Sequence, residues 1–369
     1  MRIKAVLLIM ALWLAGCSGI KSLIDFENEN EVIFYSTYAY QDNDEWVIPL
    51  RIYVHQRRER VERLAASAAS LRYDLDDDEK EIFRSRADDF VADGEWREKV
   101  VFKFKEDPHQ HTYQIKNRDG KPLRTDLDGL KEGSIRISKE RADSLLVFQG
   151  SDDNWLNIKA VSDFHTGEGR IQLVEPYGLS VISDIDDTIK ITELPGGNDV
   201  VIRNTFFKEF TPAPGMSDMY NEWDQATFHY VSGAPWQLYK PISAFLFTRE
   251  EPYPAGSFHM KTVRKNLLNP GTWRDLSQLI TNGNMTYEQK LEQIIAIINT
   301  FPDRQFILIG DSGEKDPEMY STVKSMYPDQ IQEIIIRDIV NDREKNPERL
   351  AGMTIIAAET VGLAQSDLD

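Results

Sequence analysis

The sequence has very little cysteine and fewer basic than acidic residues. Cys17 is the single cysteine among 369 residues, and a lone thiol excludes an internal disulfide. Lysine and arginine number 43 against 61 aspartates and glutamates, which gives a formal net charge of −18. An acidic surface repels phosphate backbones, so we expect no nucleic-acid partner. The same charge argues against general adsorption to anionic lipid, although a local basic patch could override it.

A long hydrophobic run is also missing. The apolar stretch from Ala5 to Leu14 is too short to span a bilayer, and two basic residues precede it. It leads into Leu-Ala-Gly-Cys at residues 14–17, which resembles the lipobox of bacterial lipoproteins. This resemblance implies that residues 1–16 are a signal peptide and that Cys17 becomes the lipidated first residue. The alternatives are an uncleaved anchor and an ordinary signal peptide.

The residue after Cys17 bears on where such a lipoprotein would lie. Ser18 in this position resembles the signal that sorts lipoproteins to the outer membrane of double-membraned bacteria. We therefore expect a lipid-anchored protein on the periplasmic face of a bacterial membrane. The residue after the cysteine indicates that this is the outer membrane. Residues 17–30 would form a polar tether between the anchor and the folded chain.

Composition and length indicate a folded chain with two domains. Hydrophobic residues make up 41% and charged residues 28%, which is typical of globular proteins. A chain of 369 residues exceeds what one hydrophobic core usually covers. Because the hydrophobic pattern changes near residue 178, we predict a β-rich domain over 31–177 and an α/β domain over 178–369.

The first predicted domain alternates apolar and polar residues in short runs, which is typical of a small antiparallel sheet or sandwich. The runs are Val101–Lys105, Ser134–Ser138, Ser144–Phe148, Trp155–Val161 and Arg170–Val174. A helix is predicted over 56–72, where arginines surround Val61, Leu64 and Leu71. Lipid contact by these arginines is one interpretation, but the interleaved glutamates favour a solvated helix face.

From residue 178 onward, apolar runs alternate with helical periods, which indicates a parallel α/β sheet. The runs are Leu179–Ser183, Phe228–Val231, Phe306–Ile309 and Ile331–Ile336. In an open α/β sheet, ligands bind beyond the carboxyl ends of the strands. We therefore expect the polar residues after the first three runs to lie close together.

Two carboxylates, Asp184 and Asp186, follow the first of these runs. Asp184 can attack a phosphorus atom as a nucleophile. Asp186 can protonate the leaving oxygen and later accept a proton from the attacking water. Taken alone, the pattern is equally consistent with an acidic turn.

Candidate phosphate ligands follow the second run and lie in a later helix. The hydroxyl of Ser232, beside Gly233, can donate to a phosphoryl oxygen at a strand end, although a helix N-cap is the simpler interpretation. Lys290 is predicted near a helix start, where the helix dipole disfavours a cation unless an anion lies nearby. An ordinary surface lysine is the alternative.

The third run leads into the most informative loop, residues 310–316. Gly310 and Gly313 permit a tight turn from which Asp311 and Asp316 project. Magnesium prefers one or two carboxylates together with phosphate oxygens and waters. The loop therefore predicts a metal or catalytic site, with an acidic surface turn as the alternative.

The order of these groups resembles the motifs of the haloacid dehalogenase superfamily. The resemblance implies a Rossmann-like sheet and a Mg²⁺ ion held by Asp184, the backbone carbonyl of Asp186, and Asp311. It also implies that Asp186 is the acid and base, which favours phosphate transfer to water. Asp316 would support the metal or the lysine.

The same resemblance gives Ser232, Gly233 and Lys290 the role of holding the phosphate. A narrower likeness, over about residues 178–345, is to the catalytic domain of the actin-patch-type phosphatidate phosphatases. It is carried by Ser183–Lys190, Val231–Pro235 and Ile309–Glu318. Lys315 stands where that family often has a histidine, and Arg337 looks like a family residue that reaches the phosphate or packing partners.

These resemblances imply a magnesium-dependent phosphatase that forms an aspartyl phosphate and converts phosphatidate to diacylglycerol and phosphate. A lipid anchor would raise the local concentration of a membrane substrate. Two alternatives stay open: a phosphatase of soluble phosphomonoesters, and an inactive phosphate-binding or scaffold lipoprotein. Aromatic residues between 236 and 285 could form a path to the site, but they are more typical of a core.

Overall fold

The computed structural model describes residues 30–262 and 283–358 and contains two large sheets. It confirms the predicted fold class, a parallel α/β sheet preceded by a β-rich part. The signal peptide, Cys17 and nearly all of the tether lie outside the described residues, so they stay predictions, as does the domain boundary at 177. Among the helices of the described ranges, none combines the length and hydropathy that a membrane span requires.

The amino-terminal sheet has nine strands. They are β1 (Asn30–Phe34), β2 (Thr37–Asp42), β3 (Glu45–Gln56), β4 (Asp93–Gly94), β5 (Phe102–Phe104), β6 (Leu130–Ser138), β7 (Trp155–Ala160), β8 (His165–Thr166) and β9 (Glu168–Leu173). The order is β5-β7-β9-β2-β3-β1-β8, and β3 also pairs with β4 and β6. Alternate residues of β3, from Trp46 to Val54, are buried in one hydrophobic core, as the period of two requires.

Three helices accompany this sheet: α1 (Glu59–Tyr73), α2 (Asp77–Val91) and α3 (Lys139–Gln149). The predicted helix over 56–72 corresponds to α1, and Leu64 and Leu71 are exposed on it. The predicted strand Ser144–Phe148 is wrong, because these residues lie in α3. A window of five residues cannot separate a strand from a helix that buries only Ala142 and Leu145.

The carboxyl-terminal sheet has six strands: β10 (Gly178–Ser183), β13 (Thr227–Pro235), β14 (Gly256–Lys261), β15 (Arg304–Asp311), β16 (Ile331–Asp338) and β17 (Thr354–Ala357). All six are parallel, in the order β14-β13-β10-β15-β16-β17. A separate antiparallel pair is formed by β11 (Lys190–Ile191) and β12 (Thr211–Pro212). The four apolar runs that predicted strands therefore lie in four of the six, which confirms the parallel sheet.

Helices lie between these strands. They are α4 (Asn198–Phe206), α5 (Met216–Asn221), α6 (Tyr239–Phe247), α7 (Gly283–Thr300), α8 (Asp316–Met326) and α9 (Asp342–Lys345). Single 3₁₀ turns occur at Leu194–Gly196, Trp236–Leu238 and Pro347–Leu350. Two hydrophobic cores cover the two faces of the sheet, because Val181 of β10 belongs to one and its neighbour Ile182 to the other.

The first of these cores also contains α1 and α2 from the amino-terminal part. Phe90 of α2 packs against Phe206 of α4 with ring centroids 5.7 Å apart. Trp236, Tyr253 and Phe258 are buried in the same core. These three aromatic residues are therefore core residues, as their residue type suggested, rather than a path to the site.

Candidate active site

The candidate nucleophile lies at the carboxyl end of the central strand. The backbone N–H of Asp184 donates to the carbonyl of Ile309 at 2.9 Å, which extends the pairing of β10 with β15 by one residue. Ile185 and Ile189 are fully buried in the core. Because these isoleucines anchor the loop from below, Asp184 and Asp186 are held at the edge of the sheet.

Lys290 reaches the same edge from helix α7. Its ammonium nitrogen lies 2.7 Å from Asp184 Oδ1, 2.7 Å from Glu314 Oε2 and 3.4 Å from Asp316 Oδ1. The side chain is only 3% exposed, so the surface-lysine alternative is wrong. The predicted position near the helix start was also wrong, because α7 begins at residue 283. An anion was nevertheless correctly predicted near Lys290, because three carboxylates lie close to its ammonium. The helix dipole is not the reason for their presence.

The structure brings four carboxylates together. Asp184, Asp311, Glu314 and Asp316 each offer one oxygen, and these oxygens all lie within 4.8 Å of one another. Asp311 Oδ1 accepts hydrogen bonds from the backbone N–H groups of Gly313 at 2.7 Å and Glu314 at 3.2 Å. Asp311 Oδ2 is buried and has no hydrogen-bond partner in the described part of the chain.

These four carboxylates have more negative charge than the ammonium of Lys290 can balance. Burial raises the pKa of Asp184 well above its usual value, and the nearby acidic groups add to the effect although Lys290 opposes it. Burial and the charges of Asp316, Glu314 and Asp184 likewise raise the pKa of Asp311 well above its usual value. Burial also raises the pKa of Asp316, to about 6. A divalent cation would relieve this repulsion, so the donor set fits one.

Lys290 carries its proton in this setting. Burial alone would lower the pKa of the ammonium, but the charges of Asp184, Asp316 and Glu314 outweigh it and raise the pKa well above its usual value. A buried cation beside the candidate nucleophile can bind the oxygens of a phosphoryl group.

Two glycines allow the loops to approach this closely, for a different reason from the one predicted. Neither Gly310 nor Gly313 has a positive φ, so neither is required by a tight turn. A Cβ at position 310 would lie 2.4 Å from Asp316 Oδ2, and a Cβ at 313 would lie 2.6 Å from Ile339 Cδ1. Space, rather than backbone conformation, therefore explains these glycines.

Asp186 lies beside the carboxylate group but outside it. Lys190 Nζ lies 2.6 Å from its Oδ1, and Thr192 Oγ1 donates to the same oxygen at 2.7 Å. Burial would raise the pKa of Asp186, but the Lys190 ammonium and these hydrogen bonds outweigh it and lower the pKa. The sequence analysis expected the backbone carbonyl of Asp186, rather than its side chain, to bind the metal ion. That expectation stays a prediction.

Ser232 and Gly233 line the same edge within β13. Ser232 Oγ donates to Asp186 Oδ2 at 3.3 Å and accepts from the backbone N–H of Ala234 at 3.0 Å. The N-cap interpretation of Ser232 is wrong, because the strand continues to Pro235. A Cβ at position 233 would lie 2.5 Å from Thr286 Cγ2, so this position also requires glycine.

Arg337 supports the loop that follows β10 from strand β16, which is separated from β10 by β15. Its guanidinium is largely buried and donates to the backbone carbonyl of Asp187 at 2.7 Å. The Asp187 carboxylate in turn accepts three backbone N–H groups, from residues 192–194, at 2.6 to 2.7 Å. The contact that the structure shows is thus with the loop, and a contact of Arg337 with substrate stays a prediction.

Several residues of the site escaped the sequence analysis. Glu314 joins the four carboxylates although it lies between the two predicted aspartates, and a third acidic residue in that loop was the available signal. Arg349 donates to the carbonyls of Ser312 and Glu314 and so holds the acidic loop, but no local pattern links it to that loop. A cavity of about 480 Å³, large enough for a small ligand, adjoins Lys290, Glu314 and Asp316.

Residues 179–338 match the family described as phosphatidate phosphatase APP1, catalytic domain. The matched segment begins within β10, ends with β16 and contains all of the site residues described above except Arg349. The match supports a phosphoric monoester hydrolase of the phosphatidate phosphatase type in this part of the chain.

Two fungal proteins are similar to this chain. The chain is 30% identical over 235 residues to the phosphatidate phosphatase APP1 of Saccharomyces cerevisiae, covering 57% of this chain and 38% of that protein. It is 29% identical over 214 residues to an uncharacterized protein of Schizosaccharomyces pombe, covering 54% of this chain and 33% of that protein. The chain thus spans between 33% and 38% of the length of these two curated relatives.

A solved carbohydrate esterase structure also overlaps this chain. It covers 83% of this chain and 87% of its own length at 10% identity. Its TM-score of 0.21 is too low to carry an argument about the fold.

Proposed function

We propose that the protein is a magnesium-dependent phosphatase in which Asp184 attacks the phosphorus atom and becomes an aspartyl phosphate. The observation that carries the proposal is the 2.7 Å approach of a buried Lys290 to Asp184 inside a group of four carboxylates. An anionic nucleophile beside a cation and a metal-ligating group is the arrangement that phosphoryl transfer needs. Folded chains seldom assemble such groups for stability alone, because burying like charges is costly.

Asp184, Asp311, Glu314 and Asp316 would hold the divalent cation, and magnesium is the proposed ion because it prefers carboxylates with phosphate oxygens and waters. When bound, the cation would neutralise part of the charge between nucleophile and phosphate. Lys290 would bind a non-bridging phosphoryl oxygen, and the hydroxyl of Ser232 would donate to another.

The proposed reaction has two steps. An oxygen of Asp184 forms a bond to phosphorus while the bond between phosphorus and the leaving oxygen breaks, and Asp186 gives its proton to that oxygen. Water then forms a bond to phosphorus while the bond between phosphorus and the Asp184 oxygen breaks, Asp186 takes a proton from the water, and phosphate leaves with Asp184 restored as a carboxylate. The lowered pKa of Asp186 suits the second step, whereas a bound phosphate dianion would raise it for the first.

Phosphatidate is the proposed substrate, and diacylglycerol and phosphate are the products. The support is the family match over 179–338 and the similarity to the phosphatidate phosphatase APP1 of S. cerevisiae. A lipid anchor at Cys17 on the periplasmic face of a bacterial membrane belongs to the same proposal. It would concentrate the enzyme at a surface that contains its substrate.

Phosphate release from a substrate panel tests the proposal. Purified protein would be assayed on phosphatidate in mixed micelles and on small phosphate esters, with magnesium and with a chelator. We expect release from phosphatidate that requires magnesium. Release from small esters alone would favour a soluble phosphomonoester as substrate. Binding of phosphate without any release would favour an inactive phosphate-binding protein.

A further inference from the structure

The carboxylate of Asp186 is fixed by two groups from its own loop. Lys190 Nζ lies 2.6 Å from Oδ1, and Thr192 Oγ1 donates to the same oxygen at 2.7 Å. Lys190 also donates to Thr192 Oγ1, so the three side chains form a closed hydrogen-bonded set. Both Lys190 and Thr192 are fully buried. Among the described residues, Oδ2 accepts one hydrogen bond, from Ser232 at 3.3 Å, and is therefore the oxygen left available for proton transfer.

Lys190 is itself held by a side chain that follows later in the chain. Its ammonium lies 4.8 Å from the centre of the Phe210 ring, within the range of a cation–π contact. Residue 190 is paired with residue 212 between β11 and β12, so Phe210 comes immediately before the strand that faces Lys190. The ring thus covers a buried ammonium whose only anionic partner within 4.0 Å, among the described residues, is Asp186.

Helix α2 from the amino-terminal part supports Phe210. The guanidinium carbon of Arg86 lies 3.7 Å from the centre of the Phe210 ring. Arg86 Nη1 also donates to the carbonyl of Thr205 at 2.8 Å, and its side chain is 4% exposed. Phe83 of the same helix packs on Phe207 with ring centroids 5.7 Å apart. Arg86 and Phe83 therefore tie the segment between β11 and β12 to the amino-terminal helices.

We propose that Lys190 is a positioning residue for the phosphatase reaction, held in place by Phe210 and, through it, by Arg86 of helix α2. Lys190 and Thr192 bind Oδ1 of Asp186 and so turn Oδ2 toward the leaving oxygen. During the first step the proton on Oδ2 moves to that oxygen as its bond to phosphorus breaks and the bond from Asp184 forms. This inference rests on the proposed function, and it gives the amino-terminal helices a role in that function.

A comparison of leaving groups tests the positioning role. An aryl phosphate with a nitrophenol leaving group needs little protonation, whereas an alkyl phosphate needs the proton from Asp186. For Lys190→Met we expect kcat/KM on the alkyl phosphate to fall about a hundredfold and kcat/KM on the aryl phosphate to fall less than about tenfold. Equal losses on both substrates, or no loss on either, would overturn the proposal.

A second pair of variants keeps the test decisive where Lys190→Met does not fold. Phe210→Leu removes the ring that covers Lys190. Phe207→Leu is the matched control, because Phe207 packs on Tyr73 and Phe83 and has no ring contact with Lys190. We expect Phe210→Leu to raise the ratio of aryl to alkyl kcat/KM several-fold, and Phe207→Leu to lower Tm while leaving the ratio unchanged. An unchanged ratio in Phe210→Leu contradicts the proposal.

The wild-type protein separates the two ideas. Absence of phosphate release by the wild type from every ester would reject the proposed function and this inference with it. Activity of the wild type combined with unchanged leaving-group ratios in the Lys190 and Phe210 variants would reject this inference alone.

Discussion

Two fully buried aspartates, one in each part of the molecule, have opposite surroundings. Asp107 lies in the amino-terminal part, where it accepts the backbone N–H groups of His109 and His111 at 3.0 Å each and a hydrogen bond from Arg141. These contacts outweigh the effect of burial and lower the pKa of Asp107. Asp311 lies among three other carboxylates, and one of its oxygens has no hydrogen-bond partner within residues 30–262 and 283–358. Burial and these neighbouring charges raise its pKa.

The difference shows that burial alone does not distinguish a structural carboxylate from a functional one. A structural carboxylate has its charge balanced by donors that the fold supplies, as at Asp107. A carboxylate in a ligand site lies beside other carboxylates and has an oxygen that the described residues do not bind, as at Asp311. The comparison therefore assigns Asp107 to stability and Asp311 to the site, and substitutions can test each assignment.

The largest expected effect is on activity. Asp184→Asn should lower phosphate release by at least about a thousandfold, because an amide cannot act as the nucleophile. Asp107→Asn, measured below its melting temperature, should keep activity within about threefold of wild type, because Asp107 takes no part in the site. Substantial turnover by folded Asp184→Asn, or a large loss in Asp107→Asn, would break the comparison.

Thermal unfolding in a chelator should separate the same two regions. Asp107→Asn should lower Tm by roughly 5 °C, because the amide loses the charge-assisted contact with Arg141 and can accept through one oxygen only. Asp311→Asn should raise Tm by about 2 °C, because it removes one of four clustered carboxylates. A fall in Tm for both variants would show that the carboxylate group is stabilising without a metal.

Added magnesium should act on one region only. We expect about 5 mM MgCl₂ to raise the Tm of the wild type by a few degrees, because a ligand of the folded state stabilises it by mass action. Asp311→Asn should lose most of this shift and Asp107→Asn should keep it. A shift of equal size in all three proteins would indicate a general salt effect.

The smallest expected effect concerns Asp89. This buried carboxylate has a cationic partner, as Asp107 has, but its pKa is raised, as that of Asp311 is. Burial raises its pKa to about 6, although Lys240 at 3.2 Å opposes this. The folded state then binds more protons than the unfolded state between about pH 4 and 6, so Asp89 adds stability as the pH falls through that window. The neighbouring His55 acts in the opposite direction, because burial lowers its pKa to about 4.

Asp89→Asn should therefore make Tm fall more steeply than in wild type on acidification from pH 6.5 to 4, since the effect of His55 remains. A matched measurement on His55→Gln should show the reverse, a shallower fall. Parallel Tm curves for the three proteins would contradict the two pKa directions.

Much of the carboxyl-terminal half was predictable from local patterns. Four apolar runs predicted four parallel strands, and the parallel geometry then placed Asp184, Ser232 and Asp311 at one edge. The amino-terminal half was harder, because a five-residue window made the helix at 144–148 look like a strand. A hydrophobic period is hard to recognise in a short window and easier to recognise in a longer run of residues.

The remaining features depend on contacts between distant residues. Lys190 and Arg349 hold the site through side chains whose partners are set by the fold and not by spacing in the sequence. The packing of α2 on α4 is likewise a tertiary feature that no local signal predicts. The sequence predicted the candidate reacting groups because they follow the ends of predicted strands. It did not predict the residues that fix these groups in position.

The most direct test is to find the atom that carries the phosphoryl group. The protein would be mixed with excess substrate and magnesium, quenched in acid within milliseconds, digested and analysed by mass spectrometry. A phosphoryl group on the peptide that contains Asp184, absent when Asn replaces Asp184, is the predicted result. A phosphoryl group on another residue, or rapid turnover with no labelled peptide at any quench time, would contradict the account.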